Sequence, residues 1–240
     1  MSYKLLWQDL FDQDKTLNPD IWNIETGGTG FGNNEHQFYT DQEKNLFIKD
    51  QTLHIVAHKE DYQTKNYTSA KITTRGKKHI KYGRLEVKAH IPKGRGTWPA
   101  IWLLGENVKE VGWPLGGEID LMEHVGKNPG HFHFSLHSKS YNHIKYNHPT
   151  YVYENLSLLD DFHLYRLDWE EDEISFYVDD KHIVTFKKQD GATEEQWPFN
   201  KPYFFILNLA IGGNWGGAID DSIFPVEFKI KYVKVYERSE

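Results

Sequence analysis

The 240-residue chain contains no cysteine, which excludes disulfide bonds, thiolate nucleophiles and cysteine-ligated metal sites. It also lacks any apolar run near the roughly 20 residues of a membrane-spanning helix, so we expect no membrane partner. The formal net charge of −7 argues against nucleic acid as a partner, because binding to a phosphate backbone normally needs a clustered basic face. No apolar signal core follows Met1, so the sequence as it stands predicts a cytoplasmic protein, or a secreted one if its start has been trimmed.

Aromatic residues, in contrast, make up 15% of the chain, more than the usual share. Segments in which apolar and polar residues alternate recur between turn residues, for example 53–57, 84–91 and 173–178, and this period of two is typical of half-buried strands. We predict an all-β sandwich over residues 1–240 as a single domain, because no repeat or linker divides the chain. The last strand-like run, 228–236, is expected to pair with the segment near 4–7. Helical structure is expected only as single turns, at 156–162 or 192–197.

Three carboxylates lie close together in the segment Gly-Gly-Glu-Ile-Asp-Leu-Met-Glu-His, residues 116–124. In a regular strand Glu118 and Asp120 share one face and Glu123 points to the other. A β-bulge at 121–122 would bring Glu123 back to the first face. Three acids on one face repel each other, so the pattern favours chemistry over a structural role. Cleavage of a glycosidic bond with retention of configuration needs two carboxyl groups about 5–5.5 Å apart, one as the nucleophile and one as the proton donor.

Two segments, Trp-Pro-Ala-Ile-Trp-Leu-Leu-Gly at 98–105 and Gly-Glu-Ile-Asp-Leu-Met-Glu at 117–123, closely resemble the signature of family 16 of the glycoside hydrolases, in its laminarinase-like branch. Further similar blocks follow in family order over nearly the whole chain, at 32–35, 67–72, 81–86, 135–143, 176–179 and 207–215. The resemblance implies a β-jelly-roll sandwich of two antiparallel sheets with a concave substrate cleft. It also implies a retaining endo-β-glucanase acting on β-1,3-glucan, with mixed-linkage β-1,3-1,4-glucan as a second substrate.

By position in the matched motif, Glu118 is the implied nucleophile, Glu123 the general acid/base, and Asp120 the residue that hydrogen-bonds the nucleophile. This cycle needs no metal and no organic cofactor. The implied partner is a β-glucan polysaccharide or oligosaccharide, and a monomer is expected. Three alternatives stay open: a transglycosylase of the family, a galactan hydrolase of the family, and a non-catalytic carbohydrate-binding jelly roll.

Sugar rings have flat apolar faces rimmed by hydroxyls, so a glucan cleft needs aromatic platforms and polar side chains. The aromatic candidates for substrate binding are Trp98, Trp102, Trp113 and Trp215. The resemblance adds four polar positions, Asn33, Arg75, His137 and Asn208. Three other tryptophans, Trp7, Trp22 and Trp169, are expected in the core.

Two segments of the chain are candidates for metal binding. The run His-Phe-His-Phe-Ser-Leu-His at 131–137 puts three imidazoles on one face, which leaves zinc open as an alternative, although we predict no metal ligands. Many family members hold a structural Ca²⁺ with an Asp of the final strand, but here Lys231 stands at that position. An ammonium would repel Ca²⁺ or take its place and donate to the same backbone carbonyls, so the calcium site is predicted to be lost.

Overall fold

The computed structural model describes residues 2–13 and 16–239. Within them the structure is almost entirely β, as the alternating sequence pattern predicts. The strands are β1 (Tyr3–Asp9), β2 (Asn23–Ile24), β3 (Gln37–Tyr39), β4 (Leu46–Lys49), β5 (Thr52–Tyr62), β6 (Lys65–Ser69), β7 (Lys71–Thr73), β8 (His79–Ile80), β9 (Gly83–His90), β10 (Thr97–Gly105), β11 (Glu118–His124), β12 (His131–His137), β13 (Thr150–Glu154), β14 (His163–Trp169), β15 (Glu173–Val178), β16 (Lys181–Lys187), β17 (Tyr203–Ile211) and β18 (Val226–Arg238).

Helical structure is confined to short segments in the part of the chain that is described. There are two four-residue helices, α1 (Val108–Val111) and α2 (Gly213–Gly216), and three 3-10 turns at His143–Lys145, Leu156–Leu159 and Asp221–Ile223. The turn expected within 156–162 is thus present. The turn expected within 192–197 is also present, as a single hydrogen-bonded turn closed on the Thr193 carbonyl, and Pro198 cannot continue it because it lacks an N–H. None of the described helices is long and apolar enough to cross a membrane.

The strands form two sheets packed face to face. One sheet has the order β16-β15-β14-β9-β18-β5-β6-β3, with β1 on β18 and β4 on β5, and the other has the order β13-β12-β11-β10-β17-β7-β2, with β8 on β17. All ladders are antiparallel except the pairing of β3 with β6, which is parallel. The predicted pairing of the two ends of the chain is confirmed, because β1 lies antiparallel to β18. The jelly-roll sandwich is therefore confirmed, with one parallel pair that the sequence did not indicate.

Between the sheets lies one continuous cluster of buried apolar side chains. On β12, Phe132, Phe134 and Leu136 point into this cluster, so the residues between them face the other way. Two tryptophans expected in the core, Trp22 and Trp169, are 3% and 0% exposed. Trp7 is half-buried and packs against the same cluster. The other face of the sheet that contains β11 points away from this core. It carries the polar side chains that alternate with the buried ones along each strand.

The final strand places Lys231 differently from the sequence-based expectation. The register of β18 against β9 shifts between Ile230 and Tyr232, so Lys231 lies at a bulge. Its Nζ is 5.3 Å from the centroid of the Phe162 ring. No backbone carbonyl within 2–13 and 16–239 accepts a hydrogen bond from this ammonium, so the expectation that it donates to the carbonyls of a calcium site is wrong. An ammonium packed on a ring supplies no oxygen ligand for Ca²⁺.

Candidate active site

A cleft of about 470 Å³ crosses the outer face of the β11 sheet. Its floor comes from alternate residues of the central strands β10, β11 and β17, and its ends come from loops. The lining residues are Phe31, Gly32, Asn33, Glu35, Tyr39, Lys71, Trp98, Ala100, Trp102, Leu104, Trp113, Glu118, Asp120, Glu123, His143, Ile144, Asn208 and Ala210. All three carboxylates predicted from the sequence are among them.

The predicted β-bulge brings these carboxylates to one face. Asp120 pairs with Ser135 of β12 and Glu123 pairs with His133, so the two residues between Asp120 and Glu123 stand opposite one residue of β12. Leu121 and Met122 are both 0% exposed and enter the core, whereas a regular strand would have turned Glu123 inward. The bulge at 121–122 is thus confirmed.

Each of the two glutamates accepts a hydrogen bond from an indole. Trp113 Nε1 donates to Glu118 Oε2 at 2.9 Å, and Trp98 Nε1 donates to Glu123 Oε1 at 3.0 Å. Because an N–H donor stabilises a carboxylate, each indole favours the ionised form of its own glutamate. The two carboxyls are therefore held by separate donors from different segments.

Asp120 lies between the glutamates along β11 and is 2% exposed. The imidazole of His137 faces it from β12, with Nε2 at 3.1 Å from Asp120 Oδ2 and 3.7 Å from Glu118 Oε1. Donor atoms of Glu118, Asp120 and His137 all lie within 4.8 Å of one another. His137 was predicted to bind substrate, but it is not among the residues that line the cleft, and its side chain contacts Asp120 and Glu118 instead.

Burial raises the pKa of all three carboxyls, that of Glu118 and of Asp120 well above the ordinary range. The second cause for Glu118 is the charge of Asp120, and for Asp120 it is the charge of Glu123. Mutual repulsion in a buried cluster opposes simultaneous ionisation. The cluster therefore retains a proton at pH values where a solvated carboxyl has lost its own, which is the property a general acid needs.

On the β10 and β17 strands the polar atoms form a continuous hydrogen-bonded network. Trp102 Nε1 donates to Asn208 Oδ1 at 2.7 Å, and Asn208 Nδ2 donates to the Tyr39 hydroxyl at 3.0 Å. That hydroxyl in turn donates to Glu35 Oε2 at 3.4 Å, and Gln37 Nε2 donates to the same oxygen at 2.6 Å. Trp102 and Asn208 lie in the cleft as predicted, each with its polar group already oriented.

Two further candidates, Asn33 and Trp215, lie beside this network. Asn33 lines the cleft and its Nδ2 lies 3.4 Å from Glu35 Oε1. Trp215, on α2, packs edge-to-face on Trp98 with ring centroids 5.3 Å apart, and also on His133 at 4.8 Å. Trp215 thus supports the indole that binds Glu123 and does not itself line the cleft floor.

Arg75 does not line the cleft, in contrast to its prediction as a substrate contact. Its guanidinium lies over the ring of Phe204, 4.5 Å from the centroid, and its NH1 is 3.4 Å from Glu25 Oε1. The other oxygen of Glu25 is 3.0 Å from Lys71 Nζ. Lys71 is the cation that reaches the cleft, and Arg75 is connected to it through Glu25.

Lys71 and Glu35 are cleft residues that the sequence interpretation did not single out. Glu35 and Lys71 both lie in segments that resemble the family, 32–35 and 67–72, but no role follows from their places there. Burial raises the pKa of Glu35, which is 6% exposed. A buried carboxyl with several side-chain donors becomes visible only when the donors are brought together by the fold.

The histidines of β12 do not form a zinc site. Among the described residues, the one group of three or more His, Asp or Glu with clustered donor atoms is Glu118, Asp120 and His137, which holds one of the three expected imidazoles. His131 lies at the far end of β12 beside Glu154, and His133 packs on Trp215. The alternation that suggested zinc is real, but the ring nitrogens of these three histidines do not converge on one point.

His137 belongs instead to a stack of rings. His148 stacks on it with centroids 4.6 Å apart and planes at 17°, and His143 meets it edge-on at 5.3 Å. His143 also packs on Trp113 at 5.0 Å. Burial lowers the pKa of His143, and that of His148 to about 4, so both are neutral near pH 7. The loop from 138 to 149 carries His143 and His148, and His143 lines the cleft.

Comparisons with known proteins agree with this site. The model of the family described as glycosyl hydrolases family 16 matches residues 33–234. A beta-glucanase of Rhodothermus marinus is 40% identical over 243 residues, covering 98% of this chain and 85% of the relative. The crystal structure of a laminarinase from Flavobacterium sp. UMI-01 is 43% identical, with a TM-score of 0.90 and coverage of 98% and 100% of the two chains. A laminarinase structure from Rhodothermus marinus is 39% identical, with a TM-score of 0.96 and coverage of 100% and 99%.

Proposed function

We propose that this chain, which belongs to family 16 of the glycosyl hydrolases, is a retaining endo-β-glucanase that cleaves β-1,3-glucan, with mixed-linkage β-1,3-1,4-glucan as a second substrate. The observation that carries the proposal is the bulge of β11, which brings Glu118, Asp120 and Glu123 to one face in an open cleft. An open cleft lets a long chain bind across it, which suits cleavage at internal bonds. The laminarinase and beta-glucanase names of the relatives support the same substrate class.

In the first step we assign Glu118 as the nucleophile. One carboxylate oxygen of Glu118 bonds to the anomeric carbon while the bond to the leaving glycosidic oxygen breaks, and Glu123 gives its proton to that oxygen. The N–H of Trp113 fixes the Glu118 carboxyl, so one oxygen remains free to attack. Burial, and to a smaller extent the charge of Glu35, raises the pKa of Glu123 and favours its protonated form, as the donor role requires.

In the second step water attacks the anomeric carbon and Glu123, now ionised, takes the water proton. The ester bond to Glu118 breaks and the configuration at the anomeric carbon is retained after two inversions. While Glu118 is esterified it carries no charge, so the repulsion that kept Glu123 protonated is smaller and Glu123 acts as a base. Asp120, which faces His137 at 3.1 Å, is proposed to hydrogen-bond Glu118 and adjust its charge between the steps.

For substrate binding we propose apolar contacts from Trp98, Trp102 and Trp113 and hydrogen bonds from Asn33 and Asn208. Two other predicted residues are assigned indirect roles: Trp215 supports Trp98, and Arg75 acts through Glu25 on Lys71. The residues touching the sugar are thus fewer than the sequence suggested. The remainder hold them in place.

We also propose that the reaction uses no metal ion and no organic cofactor, and that no calcium is held at the final strand. Glu118, Asp120, Glu123 and one water molecule supply every proton and bond of the cycle, so no step is left for a cofactor. At the final strand, Lys231 packed on Phe162 offers a positive charge where Ca²⁺ would need an oxygen. We propose that the chain works as a monomeric, single catalytic domain.

The test is product analysis on three polysaccharides: laminarin, lichenan and agarose. We expect new reducing ends from laminarin, a mixture of oligosaccharides as first products, and the β-anomer as the first product seen by NMR. Release from agarose alone would make the chain a galactan hydrolase. Products longer than the substrate would indicate a transglycosylase, and binding without release would indicate a carbohydrate-binding protein.

A further inference from the structure

Two carboxylates and one imidazole converge where β11 and β12 lie side by side. Donor atoms of Glu118, Asp120 and His137 all lie within 4.8 Å of one another. His137 Nε2 is 3.1 Å from Asp120 Oδ2 and 3.7 Å from Glu118 Oε1. The register explains this arrangement, because Glu118 stands opposite His137 and Asp120 opposite Ser135, so the three side chains share one face of the two strands.

These separations suit a tetrahedral metal site. Zn²⁺ binds imidazole nitrogen and carboxylate oxygen at about 2.0–2.2 Å, so two ligand atoms of a tetrahedral site lie about 3.3–3.5 Å apart. The separations of His137 Nε2 from the two oxygens, 3.1 and 3.7 Å, lie on either side of that value. Small shifts of the three side chains would therefore bring all of their donor atoms to one ion.

The carboxylate oxygens at this place are available to a ligand. Glu118 Oε2 accepts the hydrogen bond of Trp113, which leaves Oε1 on the side of His137. Asp120 is 2% exposed, and its Oδ2 has no hydrogen-bond partner within 2–13 and 16–239. A buried oxygen normally has a partner, because leaving it without one costs free energy. This oxygen is therefore evidence for a ligand that is independent of the clustering.

The imidazole is held in place before any ion binds. His137 is 4% exposed, and the ring of His148 stacks on it with centroids 4.6 Å apart. A ligand that is already immobilised loses little side-chain entropy on binding. This set differs from the three histidines of β12, because it uses only His137 of that strand together with two acids of β11.

The donor set indicates which ion would bind. Two carboxylate oxygens and one imidazole nitrogen are ligands typical of Zn²⁺, whereas Ca²⁺ and Mg²⁺ need more ligands, nearly all of them oxygen. Glu118 and Asp120 line the cleft, so the fourth position of a tetrahedral ion would face the cleft. The ion would then occupy the oxygen of Glu118 that is free to attack the anomeric carbon.

We propose that Glu118, Asp120 and His137 form a binding site for Zn²⁺, and that the bound ion blocks the active site and inhibits the enzyme in competition with glucan. The inhibition rests on the proposed glucanase function, in which Glu118 is the nucleophile, but the binding site does not. The ion takes no part in the catalytic cycle: it withdraws the attacking oxygen and fills the place of the reacting sugar.

The first test is calorimetric titration of the protein with Zn²⁺ alone at pH 7. We expect the tightest site to saturate at one ion per chain, and Ca²⁺ to give no such site. Asp120→Asn and His137→Gln should each weaken this site at least as much as loss of a group behind a metal ligand does, roughly 10–100-fold. Melting curves show whether both variants are folded, and the visible absorption of Co²⁺ in place of Zn²⁺ shows whether the geometry is tetrahedral.

Two control variants separate this site from other histidines. His131→Gln removes an imidazole of the same strand that lies 3.6 Å from Glu154 but has no third ligand, and it should leave the tightest site unchanged. His148→Phe keeps a ring stacked on His137 and removes only the nitrogens, so it should also leave the site unchanged. Loss of the site in His148→Phe, with full binding in Asp120→Asn, would place the ion in the ring stack and overturn the proposal.

The second test is laminarin cleavage at increasing Zn²⁺ concentration. We expect the apparent KM to rise while kcat stays constant, and EDTA to restore the original KM. A fall in kcat at constant KM would show that the ion acts elsewhere, which would overturn the block of the active site. If the unaltered protein binds Zn²⁺ through Asp120 and His137 but never cleaves laminarin, the glucanase function fails and the metal site stands.

Discussion

The two sides of the cleft differ in how their polar atoms are partnered. On the tryptophan side, formed by β7, β10 and β17, the side chains of Trp102, Asn208 and Lys71 are all bonded or ion-paired. On the histidine side, formed by β12, β13 and the 138–149 loop, His137 and His148 are stacked, and their buried Nδ1 atoms have no hydrogen-bond partner among the described residues.

This difference suits two tasks. A fully bonded side is preorganised to bind a sugar chain with little loss of side-chain entropy on binding. Burial keeps His143 and His148 neutral near pH 7, so these two rings add no positive charge to this side. The charge of His137 lowers the pKa of Glu118 and of Glu123, and so opposes part of the rise that burial causes. The catalytic strand β11 lies between, with Glu123 bonded to Trp98 of the tryptophan side and Glu118 bonded to Trp113, which packs on His143.

The largest expected effect comes from removing the carboxyls on β11 one at a time. Glu118→Ala should lower kcat by roughly 10⁴-fold or more, because no other group can form the covalent intermediate. Glu123→Ala should lower it by roughly 10²–10⁴-fold on substrates whose leaving group needs a proton. Azide with an activated glycoside distinguishes the roles: Glu118→Ala should give the inverted glycosyl azide and Glu123→Ala the retained one. The opposite pattern would exchange the two assignments.

The next largest effect is expected from removing the indole donors, which tests whether each side of the cleft sets the pKa of the glutamate that it contacts. Trp113→Phe removes the hydrogen-bond donor to Glu118 and so raises the pKa of Glu118. Because Glu118 must be ionised to attack, the acidic limb of the pH profile of kcat/KM should move to higher pH by about one unit. Trp98→Phe removes the donor to Glu123, and because Glu123 must be protonated, the alkaline limb should move up instead.

The matched control for both variants is Trp102→Phe. Its indole donates to Asn208 and not to a carboxyl, so it should alter affinity without moving either limb. If Trp98→Phe and Trp113→Phe moved the same limb, the two carboxyls would titrate as one unit and the separation between the sides would not hold.

A smaller effect concerns stability in acid, and the histidine side of the sheet should cause it. Burial lowers the pKa of His124, at the end of β11, from 6.5 to about 4, and its Nε2 accepts a hydrogen bond from Gly130 N at 3.2 Å. Because the folded-state pKa is the lower one, the unfolded chain binds more protons between these values. The contribution of His124 to the free energy of unfolding should therefore be present in full above pH 6.5 and be lost as the pH falls toward 4. The expected loss is roughly 3 kcal/mol.

Urea unfolding across this pH range measures the effect. His124→Gln should make the free energy of unfolding depend less steeply on pH. His182→Gln, which alters an exposed histidine of β16, should leave that pH dependence unchanged. Identical slopes in all three proteins would show that the buried imidazole is not responsible for the loss.

The sequence was sufficient for the features that depend on local periodicity. The period of two predicted the sandwich, and the parity of Glu118, Asp120 and Glu123 predicted the bulge, because a buried strand allows only one face to be polar. Family resemblance supplied the cleft and the roles of the acids, which spacing alone does not give.

What the sequence could not indicate depends on partners far away along the chain. Arg75 and Lys71 are both cations near one strand, and only the folded chain shows that Lys71 lines the cleft while Arg75 packs on Phe204. Phe31 is one of fourteen phenylalanines, and its place in the cleft lining depends on a φ angle of +48° that no residue pattern around it required. The parallel pairing of β3 with β6 is likewise set by the packing of the whole sheet.

The smallest expected effect is on the opposite sheet, where calcium should make no difference. Lys231 lies at the bulge of β18 with its ammonium on Phe162, so we expect the Tm to be the same in EDTA and in Ca²⁺. Lys231→Asp replaces the ammonium with a carboxylate, which Ca²⁺ prefers as a ligand, and should make the Tm rise with added Ca²⁺. Lys231→Met removes the charge alone and should not. A Tm that falls by several degrees in EDTA for the unaltered protein would show that other oxygens of this strand hold the ion despite the lysine.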